Sequence, residues 1–281
     1  DFFFKVDVKS NDTLAAGIIG QSQAGNVTIS DCKHVGTITS AKQYAGGIVA
    51  NSNTAATCDI LRCSHEGDVL GGGDYAGGII GLAKAPGSVI NCCATGGIVK
   101  GGMCGAGIAA DCIGTMRVEN CYSSMNINAK YGMGGIVGRM VNLVNPNTTG
   151  TWDAEQATFL IGCNAWGDIE TVNENGQSPA SGYSSAAILG CTLFKHTLSN
   201  CWRNPDMKFR AYPSDMATYN VPVDQPDSNP SSPYVKIGEE TYYMPWHGKA
   251  AAAGKTPASV AKTIGWDETI WDLSGTEPKL K

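Results

Sequence analysis

Short apolar segments recur along this chain in the same order and at nearly the same spacing. Each copy has a pair of small residues, a branched apolar segment, a loop, an apolar segment that ends in Cys, and a segment of the form Gly-x-Val. The stretch Tyr75–Val99, YAGGIIGLAKAPGSVINCCATGGIV, contains all of them. The branched residues that align between copies lie 28 to 31 residues apart: Ile18, Ile48, Ile79, Ile108 and Ile136. A period in this range predicts stacked structural units.

The second apolar segment of each copy ends in a cysteine at one alignment position. These cysteines are Cys32, Cys63, Cys92, Cys121, Cys163 in a fifth copy, and Cys201 in a looser sixth copy. Strands this short cannot bury enough surface alone, but they form continuous internal ladders when equivalent strands stack. We therefore predict an all-β fold, a parallel β-solenoid of about six coils with three strands per coil. Right-handed coiling is expected for parallel crossovers.

The repeat ends near residue 203, which predicts a solenoid domain over 1–203 and an irregular loop with a C-terminal capping region over 204–281. Lys236–Met244 is predicted to be a hairpin. Thr256-Pro257 supplies an N-cap and a proline at the first helical position, so a short helix is expected through Thr263, ended by Gly265. The aromatic residues of this region, Trp266 and Trp271, are expected to plug the open end of the solenoid.

Composition narrows the class of protein. Charged residues make up 16% of the chain and Gly 36 of its 281 residues, which suits a patterned β fold with tight turns rather than disorder. A net charge of −5 argues against nucleic acid as a partner. No apolar run reaches 18 residues, so no transmembrane segment is predicted.

The eleven cysteines are an odd number, and several occupy one repeat position. We predict reduced, buried thiols that pack as small hydrophobes, with a disulfide-stapled secreted scaffold as the alternative. If Cys92 and Cys93 lie on one strand, their side chains point to opposite faces, and at most one joins the internal ladder.

The first residues, DFFFKVDV, alternate in polarity like a strand, and no leader peptide is visible. An uncovered edge at 1–8 predicts either a missing N-terminal domain or self-association.

The GG-I-V-G segment, the apolar-x-N-C-Y/S segment and the terminal GWDETIWDLSG…PKL together resemble the GLUG-motif family. The resemblance covers about 14–203 as repeats and 256–281 as the tail that follows them. Such repeats occur in secreted or surface-anchored bacterial proteins, including adhesin-like proteins and immunoglobulin A1-specific metallopeptidases. The resemblance implies a β-helix-like fold and a cell-surface or secreted location, and it implies no catalytic residues in the repeat itself.

A zinc metallopeptidase of that kind needs H-E-x-x-H on a helix, with two His ligands one turn apart. His65-Glu66 is the one His-Glu pair in the chain, and Val69 stands where the second ligand is needed. These 281 residues therefore do not encode a zinc peptidase, and catalysis would lie elsewhere in a longer protein.

Other metal sites are weaker hypotheses. Cys32 with His34, and Cys63 with His65, form a conceivable zinc set, while histidines on the surface are the simpler interpretation. Oxygen ligands for Ca²⁺ are present but follow no calcium-binding motif: Asn51, Asn53, Asp59, Asp168 and Glu170. We predict no cofactor and no metal site.

Parallel β-helices also carry carbohydrate-active enzymes, which need paired carboxylates. Asp31 with Asp59, or Glu66 with Asp68, are the candidates on adjacent coils, but no aligned carboxylate set appears. We predict no catalytic residues and keep a carbohydrate-active enzyme as an alternative function.

The long loop of the fifth copy, Arg139–Gln156, is where we expect a ligand, because insertions in solenoids cluster on a binding face. Its candidate ligand-binding residues are Asn145, Asn147 and Trp152, and Trp166 follows the repeat cysteine of the same copy. The partner expected from this arrangement is a host glycan or glycoprotein. The predicted function is a non-catalytic binding, adhesion or scaffold module, with an accessory region of an immunoglobulin A1-specific metallopeptidase as the alternative.

Overall fold

The computed structural model of the protein describes residues 2–130, 132–140, 158–170, 185–192, 196–210, 234–237, 240–243 and 248–281. Within these ranges the chain forms short β-strands and one helix near its C-terminal end. That helix is too short to cross a membrane, and no other helix is present in these ranges.

The strands follow one another with very short connections. The first are β1 (Phe2–Lys5), β2 (Val8–Ser10), β3 (Leu14–Ala16), β4 (Ile19–Gln21), β5 (Asn26–Ser30), β6 (Cys32–Val35) and β7 (Ile38–Ser40). The next turns contain β8 (Tyr44–Gly46), β9 (Val49–Asn51), β10 (Thr57–Leu61), β11 (Ser64–Glu66), β12 (Val69–Gly71), β13 (Tyr75–Gly77), β14 (Ile80–Ala83), β15 (Gly87–Ile90), β16 (Cys93–Thr95) and β17 (Ile98–Lys100). They are followed by β18 (Cys104–Ala106), β19 (Ala109–Cys112), β20 (Met116–Glu119), β21 (Tyr122–Ser123), β22 (Asn126–Asn128), β23 (Met133–Gly134), β24 (Val137–Met140), β25 (Thr158–Ile161), β26 (Asn164–Ala165) and β27 (Ile169–Glu170). The last are β28 (Ser185–Ala186), β29 (Leu189–Thr192), β30 (His196–Ser199), β31 (Trp202–Arg203), β32 (Phe209–Arg210), β33 (Tyr234–Ile237), β34 (Glu240–Tyr243), β35 (Lys249–Ala250), β36 (Trp271–Asp272) and β37 (Lys279–Leu280).

Successive strands of one turn belong to five different parallel sheets, and each strand pairs with its equivalents in the turns before and after it. The sheets are β3-β8-β13-β18-β23-β28, β4-β9-β14-β19-β24-β29, β5-β10-β15-β20-β25-β30, β1-β6-β11-β16-β21-β26-β31-β35 and β2-β7-β12-β17-β22-β27-β32. The six copies of the repeat stack on one another and form about five complete turns of the solenoid. The predicted parallel β-solenoid is confirmed. Its sheets continue past residue 203, because β32 and β35 still pair with the preceding turns.

Each turn has five strands, so the expectation of three was wrong. Two of the predicted strands are each divided by a sharp corner. One corner lies at the small-residue pair, as between β13 and β14. The other lies just before the repeat cysteine, at residues with a left-handed backbone of φ between 50° and 56°: Asp31, Arg62, Asn91, Asn120 and Asn200. Asn and Asp tolerate this conformation better than other residues with a side chain, which explains their frequency here.

The core consists of ladders of identical or similar residues, as predicted. Ile48, Ile79, Ile108 and Ile136 are buried at the first corner, where Ile18 of the first copy is partly buried, and the repeat cysteines are buried at the second. The described cysteines are free thiols. Cys92 lies in the core, whereas Cys93 belongs to a separate apolar cluster outside the sheet. Their predicted opposite orientation is confirmed.

The C-terminal elements also follow local signals. Helix α1 (Pro257–Thr263) begins after Thr256, whose side chain accepts a hydrogen bond from the backbone N–H of Ser259. Gly265 follows with φ of 86°. β33 and β34 form the predicted antiparallel hairpin, and β36 pairs antiparallel with β37.

Candidate functional site

One outward-facing row of side chains runs along the eight-stranded sheet that contains β6 and β11. Its members, one per turn and in register, are Phe3, Lys33, Ser64, Cys93, Tyr122, Asn164, Trp202 and Lys249. We call it the outer row. It lies one residue after the repeat cysteine, so the alternation of a strand turns it away from the core.

The C-terminal tail, residues 256–281, covers the middle of the outer row. The hydroxyl of Tyr122 donates to Glu277 at 3.0 Å, and Asn164 Nδ2 donates to the carbonyl oxygen of Pro257 at 3.4 Å. Cys93, Tyr122 and Asn164 are buried beneath these contacts. The tail therefore lies on the flank of the solenoid.

The two tail tryptophans fix this position. Trp266 Nε1 donates to the carbonyl oxygen of Gly162 at 2.9 Å, and Trp271 Nε1 donates to Asn91 Oδ1 at 3.3 Å. Their rings lie 4.6 Å apart, and both are buried. The expectation that these rings plug the open end of the solenoid was wrong. They are buried as expected, but against the middle turns, where the outer row consists of Cys93, Tyr122 and Asn164.

The tail stops short of the first turns and leaves a groove of about 890 Å³ beside its edge. Phe3, Lys33 and Ser64 lie on the sheet side of this groove. The tail forms the opposite wall with Thr269, Ile270 and the segment 277–281. The volume lies within the range of about 300–1,000 Å³ usual for small-molecule sites.

The charged side chains of the first turns are already paired across neighbouring strands. Both carboxylate oxygens of Asp31 accept hydrogen bonds from Arg62, from Nε and Nη2, at 2.6 Å each. These hydrogen bonds hold the pKa of the Asp31 carboxyl below its usual value. Lys33 Nζ lies 3.3 Å from Glu66 and also 5.9 Å from the centre of the Phe3 ring. The pairs are half-exposed, so they organise the groove surface more than they stabilise the fold.

The two histidines near the repeat cysteines face the interior, so the interpretation of surface histidines was wrong. His34 and His65 are 0% and 1% exposed, and their rings stack with centres 5.2 Å apart. Within the described residues, no group of three or more His, Cys, Asp or Glu side chains is arranged to hold a metal ion. His65 and Glu66 lie on the strand β11, so they lack the helix on which zinc peptidase ligands are presented.

The candidate carboxylates have separate structural partners. Asp59 accepts from the hydroxyl of Ser88 at 2.6 Å, and Asp68 accepts from the backbone N–H of Ile98 at 2.9 Å. Asp31 and Glu66 are the ion-paired residues of the groove. Each of these four carboxylates is therefore held by a partner other than the second member of its candidate pair.

The oxygen ligands considered for Ca²⁺ hold local turns instead. Asn51 Oδ1 accepts from the backbone N–H of Asn53 at 2.7 Å. Asp168 Oδ1 accepts from the backbone N–H of Lys208 at 2.8 Å. Glu170 ends β27, and its side chain lies outside the described part of the structure.

The predicted ligand-binding residues are not brought together by the described structure. Asn145, Asn147 and Trp152 lie outside the described residues. Trp166 is half-buried and packs against the cluster formed by the tail tryptophans. The carbonyl oxygen of Trp166 accepts from Asn204 Nδ2 at 3.3 Å.

The base of the predicted ligand loop is a buried polar cluster. Arg139 donates from Nε and Nη2 to both oxygens of Asp111, at 2.9 and 2.6 Å, and from Nη2 to the hydroxyl of Tyr75 at 2.9 Å. Burial raises the pKa of Asp111, and the two hydrogen bonds from Arg139 oppose this. A buried pair with this many hydrogen bonds holds its strands in register and leaves few polar atoms available to a ligand.

Sequence reasoning missed the groove, although one signal for it is present. The residue after the repeat cysteine is polar in the first two copies, Lys33 and Ser64, and changes to Cys93 and then Tyr122 in the next two. A change from polar to apolar along one outward row marks where another part of the chain covers it. The polar residues Lys33 and Ser64 mark the first two turns as the uncovered part of the row.

No protein-family model matches the chain, and no curated protein matches it in sequence. Its structure is similar to the crystal structure of a putative immunoglobulin A1 protease from Bacteroides ovatus. The similarity has a TM-score of 0.63 at 17% sequence identity, and it covers 100% of this chain and 77% of the other. At this identity the match supports the fold and carries no residue roles.

Proposed function

We propose that this chain is a non-catalytic recognition module of a secreted or surface-exposed bacterial protein, and that the groove beside the tail is its binding surface. The groove carries the proposal. It joins exposed aromatic rings, paired charges and hydroxyl groups on strands that are hydrogen-bonded to their neighbours. Sites on such strands hold their geometry better than sites on loops.

The resemblance of the repeat segments to those of the GLUG family supports a role in adhesion or display. A solenoid with a side groove suits either role, because its length separates the groove from a point of attachment. The expected partners are glycans or glycoproteins.

A second candidate is an accessory region of an immunoglobulin-cleaving protein whose catalytic site lies in another part of the polypeptide. The name of the structural neighbour favours this candidate, as the match covers the whole of this chain. Both candidates require binding without catalysis by these residues. They differ in the partner, which is immunoglobulin for the second.

The test is a glycan array together with mucin and immunoglobulin pull-downs, using the intact protein and two matched variants. Ser64→Trp fills the groove floor with a side chain of the size that Trp202 has in the same row. Thr28→Trp places the same ring on an exposed position of β5, away from the groove. We expect Ser64→Trp to abolish binding and Thr28→Trp to retain it.

Binding that survives Ser64→Trp would remove the groove from the proposal. A Trp152→Ala variant then tests the loop of the fifth copy directly. Cleavage of immunoglobulin or of a polysaccharide by the intact protein would overturn the non-catalytic assignment.

A further inference from the structure

The chemistry of the groove narrows the class of ligand, on the premise that the groove is a binding site. We infer that it binds a neutral glycan, with sugar rings stacked on the exposed phenylalanines and sugar hydroxyls bonded to the paired side chains beside them.

The aromatic rings are the first observation. Phe3 stands in the outer row, lines the groove and is 61% exposed. Phe2 also lines the groove and is 67% exposed, although it is in register with Cys32 of the inward row. Exposed apolar side chains grouped in this way mark contact surfaces. The flat face of an aromatic ring packs well against the C–H groups on one face of a pyranose ring, and a neutral sugar offers such a face without a charge to desolvate.

The charges are the second observation. Four cationic and three anionic side chains line the groove: Lys33, Arg62, Lys279 and Lys281, with Asp31, Glu66 and Glu277. Because both signs are present in nearly equal number, the groove has no strong net potential that would select an acidic or a basic ligand. A charged ligand must also compete with the partners that Asp31 and Lys33 already have.

A neutral hydroxyl does not have that difficulty. Each carboxylate oxygen of Asp31 can accept a second hydrogen bond, and a Lys ammonium has three N–H donors. A sugar hydroxyl can both donate and accept, so it can contact a paired acid and base without separating them. Ser64 and Thr95 also line the groove and provide further hydroxyl groups.

An extended peptide fits this surface less well. Peptides that bind sheets usually add a strand to a free edge and gain main-chain hydrogen bonds there. The floor strands β6 and β11 are paired on both sides, so the groove floor exposes side chains and no unpaired main chain. The strand β1 ends the sheet and pairs with β6 alone, and its unpaired edge is directed away from that floor. A glycan needs only side-chain contacts.

The experiment measures affinity for neutral polysaccharide oligomers, sialylated and sulfated glycans, and acidic and basic peptides, each in 50 and 500 mM NaCl. We expect a neutral oligosaccharide to bind with an affinity that changes less than about twofold between the two salt concentrations, because screening acts on charged pairs.

Two variants connect this affinity to the groove. Phe3→Ala is expected to weaken binding at least about tenfold, the size of effect expected of an anchoring aromatic side chain. Val6→Ala is its matched control, since Val6 is 51% exposed and does not line the groove. Phe3→Ala and Val6→Ala change exposed side chains and should leave the core intact, and thermal unfolding of each variant verifies this.

The outcomes separate the two proposals. Binding restricted to charged glycans or peptides, weakened by salt and lost in Ser64→Trp, overturns the neutral-glycan inference and keeps the groove as a recognition site. Neutral-glycan binding unaffected by both Phe3→Ala and Ser64→Trp overturns the groove itself. Failure of every neutral glycan to bind also overturns the inference.

Discussion

The Nδ1 atoms of His34 and His65 lie 3.1 Å apart inside the solenoid, in neighbouring turns of one sheet. His34 Nε2 faces the carbonyl oxygen of Val6 at 2.9 Å, and His65 Nε2 faces that of Gly67 at 3.1 Å. Two neutral imidazoles carry one N–H each, so two protons serve these three contacts. In the following turns the same position holds Ala94 and Ser123, so the contact between imidazole rings is limited to His34 and His65.

This pair predicts acid sensitivity. Burial lowers the pKa of both histidines, that of His65 to about 3. Because the folded pKa lies below the unfolded value of about 6.5, stability is complete above pH 6.5 and falls as the unfolded chain takes up protons at lower pH. We expect His65 to account for about 2 kcal/mol of lost stability between pH 7.5 and pH 5.

Denaturant unfolding at the two pH values measures this loss. His65→Ala places the residue of the next turn at this position, and its stability should depend less on pH by about that amount. Equal pH dependence in the two proteins would contradict the prediction.

The solenoid should not tolerate a methyl group where successive turns touch through glycine. A Cβ on Gly78 would collide with the backbone carbonyl oxygen of Gly107 and with the side chain of Ala94. Gly78→Ala is therefore expected to cost about 1–3 kcal/mol of unfolding free energy. Gly20, exposed on β4, has nothing within 4 Å of its would-be Cβ, and Gly20→Ala should stay within about 0.5 kcal/mol of the parent. Similar thermal unfolding of both variants would mean that the turns are not packed this closely.

The tail should detach when its central ring is removed. Trp271 is fully buried, so Trp271→Ala is expected to cost about 3–5 kcal/mol for the docking of the tail. Limited proteolysis should then cut within 256–281, and binding at the groove should fall because one wall is lost. Lys255→Ala, an exposed change just before the tail, is the control. A tail that stays protected in Trp271→Ala would argue against docking on the flank.

The thiols should be inert in the folded protein. The ten cysteines whose side chains are described are all buried, and burial raises the pKa of Cys58 to about 11 and of Cys93 to about 12. Since all ten thiols are buried, a thiol reagent should reach and label them only after unfolding. Ser64→Cys adds a half-exposed thiol in the groove and should give one additional rapid reaction. Rapid labelling of more than one thiol in the folded parent would contradict the prediction, because Cys191 is the one cysteine outside this set.

Several features of the fold could be predicted because their causes are local. The spacing from Ile48 to Ile79 sets the period of the solenoid, and the cysteine after each second segment marks its core. Thr256-Pro257 starts α1 through contacts within four residues. The alternation at Cys92 and Cys93 assigns one thiol to the core and one to the outside, since neighbouring side chains of a strand point in opposite directions.

The groove and the placement of the tail could not be predicted in the same way. A corner with a left-handed backbone at Asp31 or Asn91 divides a strand that looks continuous in its hydrophobic pattern. The outer row shows which turns are covered, but a pattern of polarity does not say by which segment.

The sequence by itself determined the parallel solenoid, its repeat period, the cysteine ladder and the short capped helix. The tertiary structure alone decided that five strands make a turn, that His34 and His65 meet inside, and that the tail lies on the flank and leaves a groove beside Phe3. The physical reason is distance along the chain. Trp266 reaches Gly162 and Tyr122 reaches Glu277 across more than a hundred residues, and such contacts depend on how completed turns present their surfaces to one another.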